Sequence, residues 1–347
     1  MHSMKDNFLA LLKDSLDKSE KPKPQVIADV VIDSVISGTL KKGDVLPSIN
    51  KTARFCKIAC ETVRKAYGTL KEKGLIGAHQ GKSFFVLKST YDKKRNVFLL
   101  FNFLSTPYKA AIARGIIDVV GDKATLNFAS HNRSERNFTT LLENAIGKYE
   151  YYAVIPMRSE QTTKLLSSID QKKLLLIDLD VDFPNKACSR IIQNFDTNFL
   201  KAMEKLAPDL EKYKGFDFRF VNNPHHAHPQ ETVAMFREFC KRNGFNCYVD
   251  DEVLPANIHR NTLWFLVQDS DLVHLIKMSQ SEGLKLKRDY GIITYNDMAM
   301  KHIIEGGVST ISIDFYDMGR QVGKQILDWN PDLNKTVETY LIRGNTI

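Results

Sequence analysis

Apolar positions recur at helical spacing through the first quarter of the chain and in short unbroken runs after it, and this change of rhythm divides the sequence. Ile27, Val31 and Val35 form one stripe between Val26 and Ile36, with Pro24 where a helix can begin and Gly38 where it ends. Leu40 to Ser48 reads as a turn, and Ser48 can cap a second short helix carrying Ile49, Ala53 and Phe55. Lys57-Ile58-Ala59 has the length of a helix-turn-helix corner. From Cys60 to Lys73, Val63, Ala66, Tyr67 and Leu70 fall at i, i+3, i+4 and i+7, leaving Glu61, Thr62, Arg64 and Lys65 at or near the opposite face. Gly74 stops that helix, and Leu75 to Val86 reads as two strands around a Gln80-Gly81 turn, a β-wing. Ahead of all this, Phe8, Leu9, Leu12 and Leu16 predict a packing helix over Asp6 to Asp17, followed by a polar connector from Lys18 to Lys23.

Leu87 to Arg95 is charged, lacks any apolar period and reads as a linker. Beyond it, buried runs alternate with helical patterns. Strands are predicted at 97–101, 125–129, 151–155, 174–177, 190–192, 216–221, 245–249, 263–267, 291–295 and 308–313. Helices are predicted at 107–120, 134–146 and 196–210, and from near Pro229, Asp269, Asp297 and Phe315. Strands apolar on both faces, interleaved with helices, predict parallel sheets covered on both sides, whose ligands bind at the carboxyl ends of the strands.

Charge divides the chain at the same place. Residues 1–90 hold 16 Lys and Arg against 9 Asp and Glu, whereas the remaining 33 and 32 nearly cancel. A basic balance concentrated on a winged-helix pattern is what phosphate neutralisation requires, so double-stranded DNA is the expected partner. The five cysteines, Cys56, Cys60, Cys188, Cys240 and Cys247, lack CxxC spacing and read as reduced thiols in a cytoplasm; Cys56 and Cys60 at i and i+4 leave a redox switch as the alternative. Neither a run long enough to cross a membrane nor a signal peptide is present, so a soluble, cytoplasmic protein is expected. GxGxxG, Walker, HExxH and GxSxG motifs are missing, which argues against the common nucleotide-binding, zinc-protease and hydrolase classes.

Ile36-Ser37-Gly38 through Gly43-Asp44-Val45-Leu46-Pro47-Ser48, Thr62-Val63-Arg64-Lys65-Ala66-Tyr67, Gly74-Leu75-Ile76 and Gly81 to Phe85-Val86 together resemble the winged-helix head of the GntR family of bacterial transcription regulators. The resemblance implies that Arg64 reads a groove from the recognition helix and that Gly81 at the wing tip enters the minor groove. Ser48, Asn50, Lys51, Cys60, Thr62, Lys65, His79, Gln80 and Lys82 complete the expected DNA surface. The family often has Ser-Arg where this chain has Ala59-Cys60, and Glu-Arg where it has Ile49-Asn50. The first change removes an N-cap worth about 1 kcal/mol, and together they remove two arginines, so a different operator is expected.

A second resemblance covers Arg95 to the C-terminus. Ser105-Thr106-Pro107-Tyr108 to Arg114-Gly115-Ile116, then Tyr290 to Asp297, then Thr310-Ile311-Ser312-Ile313-Asp314-Phe315 to Met318-Gly319, is similar to the sugar-sensing domain of LacI/GalR regulators. It implies a two-lobed, periplasmic-binding-protein-like (type I) α/β domain with crossovers near Asn194, Asn296 and Asp314. The expected division is therefore a helix and winged head over 1–86, a linker over 87–95, and an effector-binding and dimerisation domain over 96–347. The resemblance also implies an effector, a small carbohydrate and foremost a monosaccharide, between the lobes, and a homodimer.

Candidate ligand residues are Ser105 and Tyr108 after the first strand, Arg158 after the third, Asp269 and Ser270 after the 263–267 strand, and Asn296, where the family usually has an aspartate. His226, His228 and Thr232 fall where the family has ligand contacts; three histidines between His225 and His228 also admit a metal reading, but their spacing gives no helical pair. No cofactor and no catalytic residue is expected. Alternatives are a sensor of a non-sugar metabolite or a carbohydrate-acting enzyme fused to a DNA-binding head.

Overall fold

The structure, a computed structural model, describes residues 4–79, 83–88, 94–224 and 228–347. Met1–Asn96 with Asp122–Thr125 and Ala145–Glu150 form one compact unit; Val97–Gly121, Leu126–Asn144 and Tyr151–Ile347 form the other. Of the predicted linker, residues 89–93 lie outside the described ones.

In the first unit, α1 (Met4–Lys18), α2 (Lys23–Ile36), α3 (Ile49–Cys56) and α4 (Cys60–Glu72) precede β1 (Ile76–His79) and β2 (Ser83–Val86). The apolar stripes meet in one core, where Phe8, Leu12, Ile27, Val31, Val35, Val63, Ala66, Tyr67 and Leu70 are almost wholly buried. β1 and β2 pair antiparallel with Ile76 opposite Val86, and Val45 bridges Phe85, so the turn before α3 adds a third rung to the wing. One expected inward position is corrected: Phe55 is exposed and Cys56, one residue on, takes the core side with Thr52 and Ala53.

The second unit is built on two six-stranded sheets. The first, ordered β13-β7-β6-β5-β3-β4, takes β3 (Arg95–Phe101), β4 (Ala124–Ser130), β5 (Tyr151–Val154), β6 (Leu174–Asp178), β7 (Ser189–Gln193) and β13 (Asn334–Val337). The second, ordered β14-β12-β11-β10-β8-β9, takes β8 (Asp217–Val221), β9 (Asn246–Asp250), β10 (Thr262–Leu266), β11 (Tyr290–Tyr295), β12 (Ser309–Ser312) and β14 (Tyr340–Ile342). β14 is antiparallel to β12, while β8 to β12 pair in parallel. β6, β10 and β11 are buried along their whole length, as unbroken apolar runs require. The helices are α5 (Pro107–Val120), α6 (Glu135–Ala145), α7 (Glu160–Ser167), α8 (Thr197–Leu210), α9 (Gln230–Asn243), α10 (Asp269–Ser281) and α11 (Phe315–Leu327).

The chain passes between lobes after β7, between β12 and α11, and between β13 and β14. The expected crossovers near Asn194 and Asp314 stand; the one near Asn296 is corrected to Glu338–Thr339, because β11 and β12 lie side by side in the same sheet. The helix expected from Asp297 is replaced by two short 3-10 turns, Ala299–His302 and Ile304–Gly306. Lys301 is the cause: its buried ammonium donates back to the carbonyls of Tyr295 (2.9 Å) and Asn296 (2.6 Å) and pairs with Asp269 at 3.0 Å, and Glu305 then takes a left-handed φ of 52°.

Candidate nucleic-acid interface and ligand cleft

On α4, burial of Val63, Ala66, Tyr67 and Leu70 turns Glu61, Arg64 and Lys65 to solvent with Thr62 beside them. Arg64 pairs with Glu61 one turn back, so a phosphate or base edge would replace an exposed carboxylate as its partner. The buried Tyr67 hydroxyl donates to the carbonyl of Pro47 at 3.0 Å and lies 3.3 Å from Thr52, and burial pushes its pKa up to about 12. Its ring also meets Phe84 of the wing edge-on at 4.9 Å. One side chain thus ties the turn before α3, α4 and the wing together.

Ser48 is spent on capping α3, accepting from the Lys51 amide at 3.2 Å, whereas Ala59 at the start of α4 provides no side-chain cap. The Cys60 thiol donates to Asn50 Oδ1 at 3.5 Å, linking the starts of α3 and α4. Cys60 is exposed and Cys56 buried, its thiol pKa raised by that burial. Gln80, Gly81 and Lys82, and the side chain of His79, lie outside what is described.

In the second unit a cavity of about 720 Å³ opens at the carboxyl ends of both sheets. The first lobe contributes Asn102, Phe103, Ser105, Thr106, Tyr108 and Lys109 after β3, His131 and Arg133 after β4, Ile155 to Arg158 after β5, Asp178 and Leu179 at β6, and Gln193 at β7. Phe195 lines it from the first crossover. The second lobe contributes Pro224 and His228 to Gln230 after β8, Val267 and Gln268 after β10, and Asn296 after β11, with Phe315 at the start of α11. Five of the sequence candidates, Ser105, Tyr108, Arg158, His228 and Asn296, therefore share one wall system.

Three others do not line it. Thr232 is fully buried and supports His228, Asp269 holds Lys301, and Ser270 is exposed away from the cavity. His226 lies outside the described residues.

The floor of the cleft was not anticipated. Lys109 and Asp178, both almost wholly buried, form an ion pair, and Gln193 Nε2 donates to the other Asp178 oxygen at 2.5 Å. Asp178 takes a left-handed φ of 71°, strain of about 1–3 kcal/mol that aims its carboxylate at these partners. From the other sheet, the Tyr295 hydroxyl donates to Gln193 Oε1 at 3.4 Å. An apolar wall completes the site: the Tyr108 and Phe315 rings lie 5.4 Å apart, and burial raises the Tyr108 hydroxyl pKa. At the mouth Arg158 of the first lobe reaches Glu231 of the second at 2.8 Å, and this hydrogen-bonded pair lowers the Glu231 pKa.

His131 and His228 are buried and neutral at physiological pH. The His131 ring Nε2 lies 3.2 Å from the Ile155 carbonyl, and burial lowers its pKa to about 4. His228 Nδ1 lies 3.0 Å from Thr232 Oγ1, its amide donates to Asn222 Oδ1 at 2.7 Å, and burial lowers its pKa to about 3.

Residues 24–86 match the model of bacterial regulatory proteins of the gntR family, so the head is a GntR-type domain. Over 95 residues, 27% of the chain, the sequence is 32% identical to an uncharacterized HTH-type transcriptional regulator, YdeF, of Bacillus subtilis, of which it spans 20%. Over 88% of the chain it is 21% identical to the arabinose metabolism transcriptional repressor of Geobacillus stearothermophilus, of which it spans 90%. The fold is similar to that of a LacI family regulator from Enterococcus faecalis with bound ribose, with a TM-score of 0.58 and 16% identity over 73% of this chain and 98% of that one. It is also similar to a LacI family regulator from Lactobacillus casei with bound glucose, with a TM-score of 0.58 and 11% identity over 73% and 99%. The second unit thus has the LacI-type two-sheet fold. Among the described residues no helix is long and apolar enough to cross a membrane.

Proposed function

We propose that this chain is a DNA-binding transcription regulator whose operator affinity is set by a small carbohydrate, foremost a monosaccharide, held between the two sheets of the second unit, and that it controls sugar-utilisation genes. The observation that carries the reading is the cavity itself, joined in one chain to a GntR-type head. Its volume falls within the roughly 300–1,000 Å³ of small-molecule sites, and its wall combines an aromatic face with hydrogen-bonding groups from both lobes, as a sugar's C–H face and hydroxyl edge require. The repressor of arabinose metabolism that aligns along most of the chain, and the folds that hold ribose and glucose, support the same reading. Ser105, Tyr108, Arg158, His228 and Asn296 are the proposed contacts, with Lys109, Asp178 and Gln193 at the floor. The chain works as a cytoplasmic homodimer, because one small head reads a half-site and pairs with a second on a pseudo-palindrome. The sugar is a signal, bound and released unchanged.

The test uses the full-length protein. An operator is selected from random duplexes, and its affinity is measured by fluorescence anisotropy with and without each aldopentose and aldohexose that raises the melting temperature. Arg64→Ala is expected to weaken specific binding by about tenfold or more, the worth of one bidentate base contact of about 1–3 kcal/mol, while sparing the sugar-induced thermal shift. A selected duplex bound equally by Arg64→Ala would remove α4 as the reader. Sugars that leave both melting temperature and operator affinity unmoved would remove the carbohydrate signal, and a product peak in the sugar's NMR spectrum after incubation would replace sensing with catalysis.

A further inference from the structure

His228 is held from three sides before any ligand arrives. Its ring stands edge-on to Tyr295 at 4.4 Å and to Phe195 at 5.3 Å, and its main chain is tied to Asn222. The hydrogen-bond chain behind it fixes which nitrogen carries the proton. Both contacts of Thr232 Oγ1 are hydrogen bonds only when its single proton goes to the carbonyl of Phe195 at 3.2 Å, an atom that can only accept, and Oγ1 accepts from His228 Nδ1–H. In a neutral ring that leaves Nε2 as an acceptor without a partner among the described residues, on a residue that borders the cavity and is 9% exposed.

His131 reaches the same state by the opposite tautomer. The Ile155 carbonyl accepts from Nε2–H, and Nδ1 is left buried without a hydrogen-bond partner among the described residues. His131 lies in the cavity wall, wholly buried, with its ring braced edge-on by Phe138 at 5.2 Å. A buried acceptor left unmatched costs about 1–3 kcal/mol, which a ligand donor would recover.

We propose that His228 and His131 are the specificity-determining acceptors of the cleft, presenting Nε2 and Nδ1 respectively to hydroxyl protons of the effector, so that the part of the effector lodged against the two rings is an uncharged polyol. The inference rests on the carbohydrate reading above and deepens it. A bare imidazole lone pair attracts an O–H and repels a carboxylate or phosphate oxygen, which could bind there only by protonating the ring. The charged groups acting on His228 are Asp178, which favours protonation, and Arg133 and Lys109, which oppose it; on His131 it is Arg133. Burial dominates at both sites, so neither ring charges in the range where the protein works.

The tests separate the nitrogen that faces the ligand from the nitrogen that holds the ring. His228→Asn keeps an amide donor near Nδ1 and deletes the Nε2 acceptor; His131→Gln keeps a donor near Nε2 and deletes the Nδ1 acceptor. Neutral aldopentoses and aldohexoses, their terminal phosphates and their aldonic acids are titrated by calorimetry into the full-length protein and both variants. The expected result is binding of a neutral sugar, loss of at least tenfold in its affinity in each variant, and wild-type affinity constant from pH 6 to 8. Affinities within twofold of wild type in the variants would overturn the assignment while leaving the carbohydrate reading standing. Failure of all the sugars and their derivatives to bind wild type would remove both. Should a variant fail to fold, ¹⁵N imidazole spectra of the wild-type protein decide the matter: His228 as Nδ1–H and His131 as Nε2–H are expected, and either opposite tautomer would sink it.

Discussion

His131 and His228 each engage a partner through one ring nitrogen, and burial holds their pKa values at about 4 and about 3, below the 6.5 of a free imidazole. Below pH 6.5 the unfolded chain therefore takes up protons that the folded chain refuses, and stability falls as pH falls. The loss is about 1.4 kcal/mol per pH unit for each histidine until its folded pKa is reached, and above pH 6.5 the contribution is complete. Asp289, held at about 2 chiefly by Arg288, adds a loss only in the more acid window below its ordinary 3.8. Thermal denaturation between pH 7 and pH 5 should consequently show a steep decline in the wild type and a shallower one in the double variant H131Q/H228N; equal slopes would mean that the rings titrate in the fold as they do outside it. At this scale the sequence told unevenly. Ser105, Tyr108, Arg158 and Asn296 were legible because they follow strand ends, where an α/β cleft presents side chains. Asp178 and Lys109 were not, because one closes an apolar run and the other lies inside a helix, and their pairing across 69 positions exists only once the topology has brought them together.

α5 and α11 touch backbone to backbone, and glycine is what permits it. A Cβ on Gly115 would strike the Tyr316 carbonyl, one on Gly319 the Ile112 carbonyl, and one on Gly323 would come within 2.8 Å of Val119. The Arg114-Gly115-Ile116 and Met318-Gly319 motifs of the sequence thus mark a helix pair, formed where the chain returns from the second sheet to the first. Gly115→Ala should cost at least about 1–3 kcal/mol by overpacking, seen as a lower denaturation midpoint. Gly68→Ala on α4, where a Cβ meets nothing within 4 Å, should instead stabilise by about 0.4–1 kcal/mol through reduced freedom of the unfolded chain. The same substitution with the same sign at both positions would refute the packing argument. Elements with a clean apolar period, such as α4 and β10, were readable in advance. β13 and β14 were not, since β13 is exposed at all but Val337 and β14 is an apolar run of only three residues, and the 3-10 turns after β11 depend on a buried lysine that no local pattern announces.

Across the second unit, two kinds of contact among the described residues join the lobes around the cavity: the buried Tyr295 to Gln193 hydrogen bond at the floor and the half-exposed Arg158–Glu231 pair at the mouth. Parallel sheets were legible from alternating runs and helices and their division into two lobes from the resemblance to LacI/GalR regulators, but which residues bridge them was not, because Arg158 and Glu231 meet only through the crossovers. An effector enclosed between the sheets needs the bridged arrangement, so whatever favours that arrangement raises effector affinity by the same free energy. An exposed ion pair supplies at most about 1 kcal/mol, or roughly fivefold in an equilibrium constant. Glu231→Gln should therefore weaken binding of the neutral sugar by about two- to fivefold and shift operator response to correspondingly higher sugar concentration. Screening shrinks an exposed pair and spares the buried hydrogen bonds, so the difference between wild type and variant should vanish as NaCl approaches 1 M, where the Debye length is about 3 Å. A difference that persists undiminished in high salt would mean that Glu231 acts on the ligand by another route, and no difference at low salt would mean that the mouth contact does not hold the lobes.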